Sequence, residues 1–227
     1  TDTPVNNFCV NNPLDNFFYG ATFSEGNCKI AMDASSNETY GTTTIGLSAG
    51  KWYWEVKWTS DTGGNNLYMG ITNAVSQSED DYYLGRATGE YAYAAPYGYW
   101  VTAASGTSYG DTYAPGDIIG VYLDLDNNKL YFGKNGTVQA SGTGIDITAI
   151  ASTTHGFYWP AVSYAESGST CLVECNYGGC PSFTVSSGNT DTNGYGNFEY
   201  DPSSGTFDSA SKDFLAICTK NLGSDGG

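Results

Sequence analysis

Apolar and polar residues alternate with a period of two along several short runs of this chain, the spacing of strands with one face turned to a core. The clearest run spans residues 51–58. Trp52, Trp54, Val56 and Trp58 share one face, while Lys51, Glu55 and Lys57 share the other with Tyr53 among them. This predicts one buried and one wet face. A second strand is predicted over residues 67–72, after the turn formed by Asp61-Thr62-Gly63-Gly64-Asn65-Asn66. Residues 116–126 and 129–134 form two more alternating runs, joined through Asn127-Asn128. Asparagine tolerates the positive φ of a tight hairpin turn, so the pair predicts a β-hairpin. Residues 157–163 and 170–176 supply two late strands. The first 47 residues look extended but interrupted, with turns at 12–16 and 25–27 and a β-branched run at 42–45. After about residue 188 the composition shifts to Asn, Thr, Gly, Ser and Asp, with a short helix predicted at 209–217. Elsewhere no apolar pattern of helical spacing exceeds about two turns. The class is all-β, and 227 residues suffice for one sizeable core.

Residues 75–113 break this rhythm. They are dense in tyrosine, small residues intervene, and they predict long loops around one or two strands. Long loops on a rigid scaffold carry recognition more often than the strands do. Tyrosine and tryptophan combine a large rigid face with a polar tip, which suits protein contacts and the stacking of sugar rings. The candidate ligand-binding residues are therefore Tyr82, Tyr83, Tyr91, Tyr93, Tyr97, Tyr99 and Trp100.

Charge narrows the partners. Eight Lys and Arg stand against 24 Asp and Glu, a net charge of −16, which repels nucleic acid and anionic membrane surfaces. No apolar run approaches the roughly 20 residues that span a bilayer, so membrane insertion is not expected. The single histidine, His155, sits in a turn-like context, and no Gly-x-Ser-x-Gly elbow or Ser/His/Asp grouping accompanies it. A catalytic role is not expected, nor any cofactor. A calcium loop at residues 124–128 competes with the hairpin that explains the same residues, and the hairpin is preferred. The six cysteines allow 15 pairings. Zinc is disfavoured because Cys171, Cys175 and Cys180 lack the tight spacing and the histidines of a zinc site. Disulfides are expected instead, first Cys175 with Cys180 across residues 176–179, then Cys9 with Cys28.

Four segments in order resemble the SPRY/B30.2 family: Gly50 through Val56, Met69 through Thr72, Gly116 through Phe132, and Phe157 through Ser163. The likeness covers roughly residues 45–180. It implies a bent two-sheet antiparallel sandwich, a concanavalin-like jelly roll, whose end loops bind protein or peptide without catalysis. Residues 1–188 are then expected to form the sandwich, and 189–227 an extension that packs on it or leads onward. The flanking segments 6–15 and 214–222 resemble those around such modules in phage tail-fibre-like proteins. The ends, Thr1-Asp2-Thr3 and Gly223 to Gly227, are those expected of interior points in a longer polypeptide. Together these imply a virion-surface, extracellular module that binds a host cell-surface glycan or protein. Two alternatives stand beside it: a structural module touching other copies or domains of a fibre, and an intracellular adaptor that captures a short peptide.

Overall fold

The alternating runs become the strands of two sheets. The computed structural model describes residues 2–15, 21–34, 39–74, 83–179, 181–210 and 212–225. In chain order the strands are β1 (Ala21–Ser24), β2 (Lys29–Ala34), β3 (Thr39–Thr42), β4 (Lys51–Asp61), β5 (Leu67–Thr72), β6 (Glu90–Ala94), β7 (Tyr99–Thr102) and β8 (Ser105–Ser108). They continue with β9 (Ile118–Asp124), β10 (Lys129–Lys134), β11 (Thr137–Val138), β12 (Ile145–Asp146), β13 (Trp159–Tyr164), β14 (Ser169–Asn176) and β15 (Leu215–Ala216). The larger sheet runs β1-β2-β14-β4-β9-β10-β11, with β12 on β10 and β15 on β4. The smaller runs β3-β13-β5-β6-β7-β8. All pairings are antiparallel except the short β15–β4 contact.

The core lies between the sheets. Trp52, Trp54, Val56 and Trp58 of β4 meet Leu67, Met69 and Ile71 of β5, Tyr91 and Tyr93 of β6, and Val162 and Tyr164 of β13. Burying aromatic side chains of this size contributes most of the stabilisation such a sandwich has. The hairpin forms, but Asp124 pairs with Lys129, so its turn is the four residues 125–128 rather than the Asn127-Asn128 pair alone. Asn128 takes φ 54°, and Asp124 accepts from the Asn127 N–H at 3.0 Å and from Asn127 Nδ2 at 2.8 Å. Those donors occupy both oxygens of Asp124, so the hairpin accounts for this carboxylate without a cation.

The second face of β4 is not wet. Tyr53 and Glu55 are fully buried, because the chain after residue 183 returns over the outside of the larger sheet as a strap. Phe198 sits edge-on to Tyr53 at 4.9 Å, and Phe207 packs on Tyr122 and Tyr131 at 5.0 and 4.9 Å. Two buried carboxylates fasten it. Glu55 accepts from the backbone N–H groups of Glu199 (3.1 Å) and Tyr200 (2.8 Å), from Tyr53 Oη (3.0 Å) and from Asn176 Nδ2 (3.0 Å). Asp191 accepts from the N–H groups of Asn193, Tyr195 and Ala216 and from Asn221 Nδ2. The helix expected at 209–217 is absent from its place. Residues 215–216 instead continue the sheet as β15, and the helix α1 lies at Thr219–Asp225. Both ends of the described chain are stitched together, the Cys9 N–H donating to the Ile217 carbonyl at 2.9 Å and the Thr219 N–H to the Asn7 carbonyl at 2.9 Å. No described helix is long and apolar enough to cross a membrane.

The expected disulfides are corrected. Cys9, Cys171, Cys175 and Cys218 are buried free thiols, Cys28 is buried and not joined to Cys9, and Cys180 lies outside the described residues. Cys175, opposite Val56, points into the core from β14 instead of across the following turn. Cys9 is also in the core cluster, whereas Cys28 is not and faces the Gly26 carbonyl. Burial pushes the Cys9 and Cys175 thiols up to about 11 and Cys171 higher still. The thiolate is the reactive form. At pH about 8, alkylation of these three is expected to be at least about a hundredfold slower in the native protein than after unfolding in urea. Peptide mapping of iodoacetamide-treated protein reads this directly, and rapid native labelling of Cys175 would refute it.

Candidate functional site

The cleft on the outer face of the smaller sheet follows from strand register and side-chain size. Tyr68 on β5 pairs with Ala94 on β6, and Ala94 pairs with Tyr99 on β7. Adjacent strands lie about 4.8 Å apart, so the two tyrosines stand about 10 Å apart with only a methyl group between them. The neighbouring row is small as well, running Gly70, Ala92, Val101 and Gly106. The result is a cleft of about 250 Å³ lined by Tyr68, Tyr83, Ala94, Tyr97, Tyr99, Val101, Ala104 and Gly106.

The segment 83–87 walls this cleft and is pinned from beneath. Glu90, fully buried at the start of β6, accepts from the Gly85 and Ala87 N–H groups at 3.0 and 3.1 Å and from Tyr40 Oη at 3.1 Å. Ser163 Oγ accepts from the Leu84 N–H at 2.8 Å. Tyr83 is thereby set against Tyr68, ring centroids 5.0 Å apart. Tyr97 and Tyr99 flank the turn at Gly98, their rings 5.8 Å apart. They are 60% and 40% exposed, two of only five large apolar side chains so open among the described residues.

The hairpin joining β7 to β8 forms the rim and is built from unfavourable residues. Ala103 and Ala104 take φ 47° and 58°, where a side chain costs roughly 1 kcal/mol and a two-residue turn prefers Asn-Gly. Hydrogen bonds from their N–H groups to the Ala87 and Gly85 carbonyls hold them there, at 3.3 and 3.0 Å. Ala104→Gly is expected to raise stability by up to about 1 kcal/mol, a gain of about 2–4 °C in Tm. Calorimetry checks it, and a fall in Tm would show that the methyl group packs usefully.

Of the seven aromatic residues expected to bind, the structure brings Tyr83, Tyr97 and Tyr99 together. Tyr91 and Tyr93 belong instead to the core, being inward-facing positions of β6, so they are withdrawn from any binding surface. Trp100 also turns inward, stacks on Tyr91 at 6.5 Å, and lines a second cleft of about 490 Å³ with Ser108, Tyr109, Ala140, Thr143, Gly144, Ile145 and Asp146. Tyr82 lies outside the described residues. Tyr68 was missed, since it sits in a strand that reads as wholly buried; its one signal is its parity opposite Leu67, Met69 and Ile71. The described part of that stretch, residues 83–113, supplies three strands, one more than the loops allowed. Among the described residues no group of three His, Cys, Asp or Glu is placed to hold a metal ion.

The fold is thus a two-sheet antiparallel sandwich with an open aromatic cleft on its smaller sheet. The family model of the SPRY domain matches residues 51–178, and the chain belongs to that family. Ran-binding protein 9 of Danio rerio is 29% identical over 158 residues, which is 69% of this chain and 24% of that protein. The E3 ubiquitin-protein ligase RKP of Arabidopsis thaliana is 31% identical over 134 residues, 58% of this chain and 10% of that protein. The chain thus spans about a quarter or less of these relatives. In fold it is similar to the SPRY domain of human HERC1, with a TM-score of 0.59 and 17% identity over 77% of this chain and 99% of that one. None of these relatives carries the tail-fibre context expected from the flanking segments, and the strap over the larger sheet gives those segments a packing role instead.

Proposed function

We propose that this chain is a non-catalytic protein-binding module that captures a short segment of a partner protein in the cleft lined by Tyr68, Tyr83, Tyr97 and Tyr99. The observation that carries the reading is the cleft itself, a pinned, mostly apolar concavity with two tyrosines left open beside it. Amphipathic rings on a rigid floor bind peptide with little ordering cost. Family membership favours a protein partner over a sugar. An adaptor working inside a cell is the preferred setting, ahead of a virion surface, because Cys9, Cys171, Cys175 and Cys218 are buried free thiols and the relatives are Ran-binding proteins and a ubiquitin ligase. Disulfides are the usual mark of small domains in oxidising surroundings.

The experiment pans a random peptide display library and a glycan array with the same purified protein. Enrichment of peptides that compete with one another for a single site supports the adaptor reading. Selective glycan retention without peptide enrichment would overturn it and restore host-surface recognition.

A further inference from the structure

The smaller sheet ends beside the cleft in an unguarded edge. All four residues of β8, Ser105, Gly106, Thr107 and Ser108, are exposed, and the strand order stops there. Edge strands are commonly guarded by a charge, a proline or a bulge, and this one carries none. The Tyr109 N–H donates to the Gly98 carbonyl at 3.0 Å. Together with the register of β7 on β8, this makes Trp100/Thr107 and Thr102/Ser105 the bonded pairs of the hairpin. The N–H and C=O groups of Gly106 and Ser108 therefore point away from β7, and no described hydrogen bond engages them.

A cleft opens on each face of this edge. On the outer face is the tyrosine cleft. Its Tyr99 ring lies so close over Gly106 that a side chain there would strike it, so the ring overhangs the strand towards its free side. On the inner face is the cleft of Trp100, Ser108, Tyr109 and Asp146. Successive side chains of an extended peptide point to opposite faces, which is the division these two clefts require. Neither is lined by Lys or Arg. Asp146 is held by Lys129 at 2.8 Å yet remains 88% exposed, Asp111 is exposed just beyond β8, and the whole chain carries −16.

From this we infer that β8 is a docking edge for an extended basic segment of another protein. The segment adds to the smaller sheet as a further strand, with alternate apolar side chains in the tyrosine cleft and Lys or Arg side chains facing Asp146. The inference rests on the reading of that cleft as a peptide site and specifies how the peptide is held. Strand addition takes affinity from main-chain hydrogen bonds and specificity from alternating pockets.

The test uses an acetylated, amidated peptide, Thr-Lys-Phe-Lys-Val-Thr, beside its acidic counterpart with Glu for Lys, in fluorescence titrations against the whole chain. Ser108→Pro removes one outward N–H while sparing the bonded pairs, and proline is tolerated on edge strands. The basic peptide is expected to bind about tenfold or more tighter than the acidic one. Ser108→Pro, or N-methylation of the peptide at the amides facing β8, is expected to weaken binding about fivefold, one main-chain hydrogen bond being worth about 1 kcal/mol. Amide exchange at Gly106 and Ser108 should slow when the peptide is bound. Unchanged affinity with Ser108→Pro and with the methylated peptides, alongside loss with Tyr97→Ala, would refute strand addition and leave the cleft reading intact. No saturable binding of the basic peptide overturns the inference itself. Dimers that Ser108→Pro dissociates would overturn the choice of partner, since a second copy would then occupy the edge.

Discussion

Replacing Glu55 with alanine is expected to lift the strap from the larger sheet and to cost about 3 kcal/mol of stability. Four donors converge on this fully buried carboxylate, two of them backbone N–H groups of the strap itself. Each buried donor left without an acceptor costs about 1–3 kcal/mol, and water reaching the loosened strap returns part of the sum. The buried rings of Phe198 and Phe207 would then lose their cover over Tyr53, Tyr122 and Tyr131. Urea unfolding measures the loss, and proteolysis between residues 183 and 214 measures the lifting. A variant as stable and as protease-resistant as the parent would show that ring packing alone holds the strap. Glu55→Gln keeps the shape and one acceptor, so it should fall between.

The same residue carries a pH dependence. Burial outweighs its donors and raises the Glu55 carboxyl above its ordinary value of 4.5. A group bound more tightly to its proton in the folded state contributes stability that is complete below the unfolded value. That contribution is lost as pH rises through the folded value. The stability of the parent relative to Glu55→Gln is therefore expected to decline from about pH 4.5 upwards. Taking the difference between the two proteins removes the opposite effect of Asp117 and Asp208, whose carboxyls are lowered by their hydrogen bonds and by Lys134 and Lys129. A difference that grows with pH would contradict the assignment.

The second large effect belongs to the cleft. The double change Tyr97→Ala with Tyr99→Ala is expected to weaken binding of a selected peptide by about a hundredfold, since aromatic residues at a binding hot spot are each worth about 1–2 kcal/mol or more. Tyr97 is 60% and Tyr99 40% exposed in the free protein, so stability should change by less than about 1 kcal/mol. That split between binding and stability is the diagnostic. Tyr93→Ala should show the reverse pattern, a destabilisation of about 3–5 kcal/mol from an emptied core position. Equal peptide affinity for the double variant and the parent would remove the cleft from the function.

Residues 51–58 show how much of the fold the chain discloses locally. Every second residue there is Trp or Val, and that spacing alone determines which face of β4 enters the core. The hairpin turn is equally local, because its last residue, Asn128, takes a positive φ that asparagine tolerates. The candidate site was partly legible for the same reason. Tyr97 and Tyr99 flank Gly98 in a segment without strong alternation, and open tyrosines are the residues of recognition.

Where local spacing is ambiguous, the sequence is silent. Tyr91 and Tyr97 belong to one tyrosine-rich stretch, yet one lies in the core and the other in water. The difference is that Tyr91 lies on the inward face of β6 while Tyr97 lies in the turn between β6 and β7, and where the strand ends is set by pairing with β5 and β7 rather than by composition. Tyr68 becomes a site residue only when Ala94 is placed between it and Tyr99, by strands 26 and more residues later in the chain.

By itself, then, the sequence determined the all-β class, the inward face of β4, the hairpin and the SPRY family resemblance, since each depends on residues a few positions apart. Tertiary structure alone decided that Glu55 is buried, that Cys9 and Cys175 are core thiols, and that β8 ends its sheet beside two clefts. The physical reason is the same in each case. Burial, pairing and edge exposure are properties of what the chain brings back from far along its length, and a period-two pattern carries no record of which distant segment will return.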